Sequence, residues 1–404
     1  MTSLNPALPQ ETGFPEFPMQ RTCPFQPPPG YAELRAGGPL TRVALLGGRT
    51  AWVVTAHAVA RTLLTDPRIS SDWTDPAFPV LSPVRGVIQK QTVMIGMDAP
   101  DHTRYRRMVI PAFTARRING LRETLDRIVD ERLTELLAGP APADLVDFAV
   151  SVPSIAICGL LGIPYDDHEF FETETRKLVL RTSAEEAGAA LGSLQRFLDE
   201  LIGRKLADPG EGLIDDLIGG PFADGRIDRP TMVQMCTLML MAGHETTANV
   251  ILLGLLTLLE NPAEFAALRA DPELVPGAVE ELLRYLSVAE TIPRVATGDV
   301  EVEGVLIRAG EPVLLANSAI NRDGDAFPGP DRFDVRRAPR THTGFGFGAH
   351  QCVGGNLARA ELDIVFRALA ARLPETVRLA VPAGEIRPKG PAGPQGIFSL
   401  PITW

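Results

Sequence analysis

Most of the chain repeats its hydrophobic positions with the spacing of an α-helix. Helical periodicity extends through five segments, which are residues 102–137, 185–206, 231–260, 276–286 and 355–373. Two pairs of short apolar runs predict β-hairpins instead, namely 42–46 with 51–54 and Val300–Val302 with Val305–Ile307. The pattern therefore predicts a mainly α chain with small β-sheets (α+β), built as a single domain over residues 1–404 with an irregular N-terminal arm at residues 1–20.

The segment 231–260 predicts a helix long enough to cross the whole molecule. About 30 residues at 1.5 Å each span roughly 45 Å. Asp228 is placed to cap this helix, Pro230 suits its first turn, and Asn261-Pro262 ends it. Because its outer thirds are apolar on every side, we expect the helix to be buried nearly all round.

The middle of this apolar helix is interrupted by the polar run Ala242-Gly243-His244-Glu245-Thr246-Thr247. A glycine there costs about 1 kcal/mol relative to alanine, and Glu245 carries a charge into the interior. Thr246 can bond back to the carbonyl of Ala242 and bend the helix. Together these features predict a groove wide enough for a diatomic ligand and a water. A satisfied polar cluster with a mild kink explains the same residues.

Cys352 is a single thiol framed by glycines, in the run Phe345–Gly354 (FGFGAHQCVG), ahead of an alanine-rich helical segment. Glycines let a backbone turn tightly and approach a flat cofactor closely. Backbone N–H groups that point at a thiolate tune the potential of an iron bound to it. The pattern is typical of an iron ligand, and the alternative is a buried structural cysteine.

Composition narrows the class of protein. The 404 residues are 45% apolar and 22% charged, which is typical of a globular protein, and the net charge of −11 argues against a nucleic-acid partner. The four cysteines have no metal or disulfide spacing, which fits a reducing cytoplasm. The first 30 residues show no secretory signal, and we expect no transmembrane helix. We therefore expect a cytoplasmic protein, and we also expect it to be a monomer.

The spacing Phe-x-x-Gly-x-His-x-Cys-x-Gly resembles the haem-binding loop of the cytochrome P450 superfamily. It matches at every position, which are Phe345, Gly348, His350, Cys352 and Gly354. The resemblance extends from about residue 20 to the end of the chain. It implies the cytochrome P450 fold, with haem b (iron protoporphyrin IX) between a long central helix and the Cys-ligand loop. The chain looks like the soluble bacterial kind, and its two ends look like those of actinobacterial members that tailor natural products.

By this resemblance, Cys352 is the metal ligand and its neighbours hold the haem. The expected cofactor-binding residues are Phe345, Gly346, His350, Cys352 and Gly354 in the loop, His102, Arg106 and Arg294 as further propionate donors, and Ala242 and Gly243 on the central helix. His102 and Arg106 share one helix face because they are four residues apart. Apart from the resemblance, their segment is equally a solvated basic surface.

The resemblance also implies an acid–alcohol pair, since Ala242, Gly243, Glu245 and Thr246 match the family's central-helix motif. Thr246 and Glu245 are the expected catalytic residues, which deliver protons. Peroxide-using relatives replace this pair, so its presence favours O2. We expect a monooxygenase that inserts one oxygen atom of O2 into a C–H bond, by hydroxylation or epoxidation. The alternatives are a peroxygenase that uses H2O2 and a non-enzymatic haem-thiolate gas sensor or carrier.

A supporting ion network is implied by Glu281-Leu282-Leu283-Arg284, which matches the family's Glu-x-x-Arg pair. Arg332 falls where the family has a third, arginine member. We expect Glu281, Arg284 and Arg332 to form a buried structural network that braces the haem loop. The plain alternative is a weak surface ion pair between residues three apart.

The substrate pocket implied by the resemblance is apolar, which suits a hydrophobic small molecule such as a macrolide or polyketide, a terpenoid or a steroid-like compound. The loop 70–97, the central helix and the carboxyl-terminal turn should line it. The expected residues are Met94, Leu238, Met239, Ala242, Val288, Ile292, Ile397 and Phe398, several of which are equally explained as core.

Electrons must come from a partner, because the chain has no flavin or iron–sulfur segment of its own. The resemblance implies a ferredoxin with an NAD(P)H-dependent ferredoxin reductase. A basic patch on the thiolate side of this acidic protein is suited to steer an acidic partner. Its expected members are Arg104, Arg107, Arg116, Arg117 and Arg359.

Overall fold

Helices make up most of the architecture in a computed structural model, which describes residues 13–45, 47–82, 93–180, 183–391 and 393–404. The described helices are Tyr31–Ala36, His57–Thr65, Asp101–Val109, Ala115–Ala138, Val146–Leu161, His168–Leu180, Ala184–Ala207, Leu213–Leu217, Arg229–Glu260, Pro262–Ala270, Val275–Leu286, Asn317–Ile320 and Gly355–Arg372. Short 3-10 turns lie at Ile110–Phe113, Tyr165–Asp167, Pro272–Leu274, Gly348–His350 and Ala383–Glu385, and a π turn at Ile218–Phe222. The prediction of a mainly α chain with small sheets is confirmed.

The strands form three small sheets. The described strands are β1 (Leu40–Ala44), β2 (Thr50–Val54), β3 (Ile69–Ser70), β4 (Ala143–Asp144), β5 (Thr291–Ala296), β6 (Val300–Val302), β7 (Val305–Ile307), β8 (Pro312–Ala316), β9 (Arg378–Leu379) and β10 (Pro401–Thr403). One sheet has the order β1-β2-β8-β5-β3, another β4-β10-β9, and the third is the β6-β7 hairpin. Both predicted hairpins are confirmed, although residue 46 of the first lies outside the described residues.

All the predicted helices are present, but one of them is divided in two. The segment 102–137 is interrupted between Val109 and Ala115, where Pro111 lacks the N–H that a continuous helix needs. The helix Val146–Leu161 was not predicted, because almost every residue in it is buried, including Pro153. A helix that is apolar on all sides shows no periodicity for sequence analysis to detect.

The central helix, Arg229–Glu260, is the longest described element, at about 48 Å for its 32 residues. Its start is capped as predicted, because the carboxylate of Asp228 accepts the N–H of Thr231 at 2.9 Å. By length and composition alone it could cross a membrane, which corrects the expectation that no such segment exists. In its most apolar 18-residue window, however, 72% of the residues are buried inside the protein. The helix therefore serves as the core element that was predicted.

A buried ion network joins the helix Val275–Leu286 to the segment between Asn321 and Arg337, which follows β8. The Arg284 guanidinium donates to both carboxylate oxygens of Glu281 at 2.7 Å, and both side chains are fully buried. Arg284 also donates to the carbonyls of Asn321 and Pro330 at 2.8 and 2.9 Å. The predicted pair is therefore structural, and it holds together segments that are distant along the chain.

The prediction that Arg332 is the third member of this network is wrong. Its side chain is 73% exposed and lies 3.5 Å from Asp334. Arg337 takes the expected place, donating to Glu281 at 3.1 Å. The reason is the path of the loop, because the Asp334 N–H also bonds to Glu281 and turns the chain so that Arg337 reaches inward.

Replacing Arg337 should destabilise the protein far more than replacing Arg332. Arg337→Ala removes a hydrogen-bonded charge from a buried carboxylate, and we expect a loss of about 3 kcal/mol in the free energy of unfolding. Arg332→Ala removes an exposed side chain, and we expect a change within about 0.5 kcal/mol. Urea unfolding followed by far-UV circular dichroism measures both. Equal losses for the two variants would contradict the assignment.

Candidate active site

The loop that carries Cys352 is closed by its own backbone. The Cys352 N–H donates to the carbonyl of Phe345 at 2.8 Å. Gly346 and Gly348 both have positive φ, at 68° and 75°. A Cβ on Gly348 would lie 2.5 Å from the carbonyl oxygen of Leu64, so no other residue fits there without moving backbone. Glycine at this position is therefore required by the fold of the loop.

The sulfur of Cys352 is surrounded by groups that stabilise a thiolate. The residue is exposed on one side, yet enough protein surrounds the sulfur for desolvation to raise the pKa of the thiol. Hydrogen bonding to the backbone N–H groups of Gly354 and Gly355 and the charges of Arg106 and Arg359 act in the opposite direction and lower that pKa. Desolvation is the largest of these effects, so the pKa of the free thiol lies above its ordinary value. The N–H donors and arginine charges beside the sulfur are nonetheless the surroundings expected of a thiolate metal ligand.

Four basic side chains meet next to this loop. The rings of His102 and His350 stack with centroids 3.9 Å apart and planes 25° apart. Burial, together with the charges of Arg294, His102 and Arg106, lowers the pKa of His350 to about 3. Burial also lowers the pKa of His102, assisted by Arg106 and Arg294. The structure thus brings together all four of the side chains predicted to bind propionates.

Each of these side chains is held by a different part of the fold. His102 and Arg106 lie one turn apart on the helix Asp101–Val109, and Arg106 also donates to the carbonyl of Gln351 in the cysteine loop. Arg294 lies on β5 and donates to the carbonyl of Pro293 at 2.8 Å. The cluster therefore depends on the relative placement of a helix, a strand and a loop.

The central helix carries the other predicted part of the site. The Thr246 hydroxyl donates to the carbonyl of Ala242 at 2.8 Å, which confirms the predicted back-bond. A Cβ on Gly243 would lie 3.2 Å from Ile157, so Gly243 lets the helix Val146–Leu161 approach closely. Sequence reasoning placed Gly243 at the cofactor and missed this packing role.

Glu245 has a partner that the sequence did not reveal. Its carboxylate lies 3.4 Å from the ammonium of Lys389, and the two side chains are only 14% and 9% exposed. The residues are 144 positions apart, so no local spacing connects them. Both line a cavity of about 80 Å³, together with His244, Asn249 and Phe398.

The predicted pocket residues are distributed over several environments. Ile397 and Phe398 line the cavity beside Glu245. Ile292 lies over the cysteine loop, with Cδ1 3.9 Å from where a Cβ on Gly346 would stand. Four of the other predicted pocket residues belong to the core, because Met94, Leu238 and Met239 lie in one buried cluster and Val288 lies in another. The remaining residue, Ala242, is exposed. Residues 83–92 of the predicted lining loop lie outside the described residues.

The predicted basic patch is smaller than expected. Arg104 lies 3.4 Å from Asp101, and Arg117 pairs with Asp216 at 2.9 Å. Arg359 pairs with Glu280 at 2.5 Å and lies 4.7 Å from the ring of Phe345, so it supports the cysteine loop instead of offering a free surface charge. Arg107 and Arg116 are exposed.

Comparison with known proteins identifies the family. The family model described as "Cytochrome P450" matches residues 204–372. The chain is 50% identical over 400 residues to "Vitamin D3 dihydroxylase" of Streptomyces griseolus, covering 98% of both chains. It is 49% identical to "Pentalenic acid synthase" of Streptomyces avermitilis, covering 96% of this chain and 97% of that protein. The chain belongs to the cytochrome P450 family and is a P450 monooxygenase of the bacterial, actinobacterial type.

A solved relative supports the same conclusion for the fold. The mycinamicin VIII C21 methyl hydroxylase MycCI from Micromonospora griseorubida, bound to mycinamicin VIII, superimposes with a TM-score of 0.90 at 38% identity, covering 96% of this chain and 100% of that chain. The family implies a haem cofactor. The residues present fit it, because a thiol facing open space stands beside four basic donors that a pair of carboxylates would neutralise.

Replacing Gly348 should disrupt the cysteine loop selectively. Gly304 is a matched control, because it also has positive φ (73°) but a Cβ there would meet no described atom within 4 Å. We expect Gly304→Ala to cost about 1–2 kcal/mol of backbone strain and leave haem content unchanged. Gly348→Ala adds the clash with Leu64, and we expect most of the haem to be lost on purification. The ratio of haem absorbance to protein absorbance measures how much haem each variant retains. Equal ratios for Gly348→Ala and Gly304→Ala would contradict the assignment.

Proposed function

We propose that this P450 monooxygenase uses haem b, O2 and electrons from a ferredoxin to insert one oxygen atom into a C–H bond of a hydrophobic small molecule. The observation that carries the proposal is the placement of the Cys352 sulfur within the field of Arg106, itself part of the basic cluster with His102, Arg294 and His350. A thiolate ligand with propionate donors at its side is the protein environment that this chemistry needs.

The residues divide the work between binding and proton supply. Cys352 would ligate the iron, and His102, Arg106, Arg294 and His350 would bind the propionates. When bound, the haem supplies the oxygen-activating chemistry, and thiolate donation favours cleavage of the O–O bond. The protein then has to orient the substrate, exclude water and deliver protons.

Thr246 and Glu245 are the proposed proton donors on the central helix. The Thr246 hydroxyl donates to the Ala242 carbonyl, and rotation about its χ1 would redirect that proton toward the reacting face. The Glu245 carboxylate, which lies beside a cavity, would exchange protons with water there. The presence of both side chains favours use of O2 over the alternatives, a peroxygenase that uses H2O2 and a non-enzymatic haem-thiolate gas sensor or carrier.

An apolar substrate is supported by the side chains next to this relay. Ile397, Phe398, Val146 and Val150 line the cavity that Glu245 faces. The relatives are described by their names as acting on vitamin D3 and on mycinamicin VIII. We propose a substrate of the macrolide or polyketide, terpenoid or steroid-like classes for this chain.

Electron delivery is proposed to come from a ferredoxin and its NAD(P)H-dependent ferredoxin reductase, which would meet a monomer of this chain in the cytoplasm. The exposed Arg107 and Arg116, which follow Arg106 along the chain, support an acidic partner. The cysteines Cys158 and Cys236 are buried, and burial raises the pKa of the Cys236 thiol to about 12, so that thiol is inert.

The spectrum of the reduced protein with carbon monoxide tests the thiolate ligand. We expect a strongly red-shifted Soret band for the purified protein, because the Cys352 thiolate would ligate the iron. Cys352→Ser should remove the shift, whereas Cys23→Ser should keep it. A wild-type band at the position of histidine-ligated haem, or no haem in a well-folded sample, would contradict the proposed site.

Replacing Thr246 tests the proton relay. With vitamin D3 as probe substrate and a plant-type ferredoxin system, Thr246→Ala should lower product formed per O2 consumed by about tenfold and raise peroxide. Thr257→Ala is a matched control, because Thr257 makes the same back-bond on the same helix, to Leu253 at 2.7 Å. Peroxide formed per O2 is measurable whether or not vitamin D3 is oxidised. Equal peroxide yields in the two variants would contradict the role of Thr246.

A further inference from the structure

A glutamate outside the sequence motifs is linked to the segment that follows the cysteine loop. Glu280 directly precedes Glu281 on the helix Val275–Leu286, but its side chain has a different partner. Its carboxylate accepts two hydrogen bonds from the Arg359 guanidinium, at 2.5 and 3.1 Å. Arg359 lies on the helix Gly355–Arg372, which begins directly after the loop. Glu280 therefore ties the beginning of that helix to an element far away in the chain.

The guanidinium of Arg359 is held next to the residues that surround the Cys352 sulfur. Its Cζ lies 4.7 Å from the centroid of the Phe345 ring. Its Nη1 lies 3.4 Å from where a Cβ on Gly355 would stand. The backbone N–H of Gly355 hydrogen-bonds to this sulfur, and the charge of Arg359 acts on the sulfur, as does that of Arg106. The position of one guanidinium therefore contributes to the electrostatic potential at the expected iron ligand.

His342 is the second partner of Glu280, and its hydrogen bonds indicate a neutral ring. The Gly344 N–H donates to its Nδ1 at 3.0 Å, so Nδ1 is an acceptor and carries no proton. Nε2 therefore carries the ring proton and donates to Glu280 at 3.0 Å. A protonated imidazole would have no nitrogen left to accept the Gly344 N–H. The imidazole thus adds no charge to the carboxylate and the guanidinium.

The Glu280 carboxylate stays ionised although its side chain is only 15% exposed. Burial raises the pKa of this carboxyl, but the hydrogen bonds from His342 and Arg359 and the charge of Arg359 outweigh burial and lower the pKa to about 2. Arginine is always protonated in proteins. Both charges of the pair therefore persist at neutral pH, and the carboxylate opposes the field of the guanidinium at the sulfur.

We propose that Glu280 is a positioning residue for the Cys352 thiolate, because it fixes the Arg359 guanidinium and cancels part of its charge at the sulfur. An uncancelled guanidinium would draw electron density toward itself and weaken donation from the sulfur to a bound haem iron. Donation by the thiolate favours cleavage of the O–O bond. The reduction potential of the bound haem is thereby set in part by a carboxylate outside the cysteine loop. This inference rests on the proposed role of Cys352 as the iron ligand.

The chain offers a matched control on the same helix. Asp363 pairs with Arg367 at 2.9 Å, and the two side chains are 15% and 34% exposed. The corresponding values for Glu280 and Arg359 are 15% and 37%. Asp363 also lies 3.5 Å from Arg122. Asp363→Asn therefore removes a negative charge of the same exposure without changing the partner of the guanidinium beside the loop.

The first measurement is the reduction potential of the holoenzyme without substrate, titrated with dithionite in the presence of redox dyes. Glu280→Gln keeps the size of the side chain and one acceptor oxygen but removes the charge, so the uncancelled Arg359 should favour the reduced state. We expect the equilibrium to shift toward that state by about threefold or more at low salt. Asp363→Asn should stay near wild type. Equal shifts in the two variants would overturn the proposal.

The second measurement is the infrared stretching frequency of carbon monoxide bound to the reduced holoenzyme, which rises when the ligand opposite the gas donates less. We expect a higher frequency in Glu280→Gln and the wild-type frequency in Asp363→Asn. Arg359→Met should lower both the frequency and the potential, with Arg367→Met as its control. If Glu280→Gln retains no haem, Arg359→Met decides, because an unchanged frequency and potential there would overturn the proposal.

The two ways of failing are distinguishable. If the wild type lacks the red-shifted Soret band with carbon monoxide, Cys352 is not the thiolate ligand and the role of Glu280 falls with it. If the wild type has that band while Glu280→Gln matches Asp363→Asn in potential and frequency, the ligand stands and Glu280 is only structural. A lower urea midpoint in Glu280→Gln with an unchanged frequency would overturn the proposal for the same reason.

Discussion

Burial of four basic side chains at one point is the constraint on which the rest of the structure depends. His102, Arg106, Arg294 and His350 come from a helix, a strand and a loop, and burial together with the charges of Arg106 and Arg294 lowers the pKa of both histidines. Burying these groups costs free energy, so other contacts hold the three segments together. The Glu281–Arg284 network and the glycines of the cysteine loop supply that rigidity. Binding of a dianion to such a preformed cluster stabilises the fold by linkage.

Buried ionisable groups elsewhere in the described chain differ from this basic cluster. Arg21 and Glu290 form a buried pair, as do Glu281 and Arg284. The buried Glu361 has no hydrogen-bond partner at Oε2 among the described atoms. Burial raises the pKa of this carboxyl to about 8, so it stays protonated at neutral pH. Opposite charge or a retained proton thus neutralises these groups. The basic cluster differs, because the charges that act on His350 all have the same sign, which supports the proposal that it binds propionates.

Features set by local spacing were predictable from the sequence, and features set by distant contacts were not. The central helix with its Asp228 cap, both hairpins and the Thr246 back-bond follow from residues within a few positions of each other. The parallel pairing of β2 with β8 joins segments far apart in the chain. Arg337 replaces Arg332 for the same reason, since a contact across 56 residues depends on the path of a loop that no local pattern specifies.

The same distinction between local spacing and distant contacts applies within the candidate active site. One short motif fixes Cys352 and another fixes Glu245 and Thr246, whereas Lys389, a partner of Glu245, comes from a carboxyl-terminal hairpin (residues 388–398) 144 residues away. That hairpin also carries Ile397 and Phe398, which line the cavity at the relay. If these two residues contact substrate as proposed, a change in the hairpin that admits a new substrate also displaces Lys389. Substrate range and the proposed proton supply would then be coupled by one element.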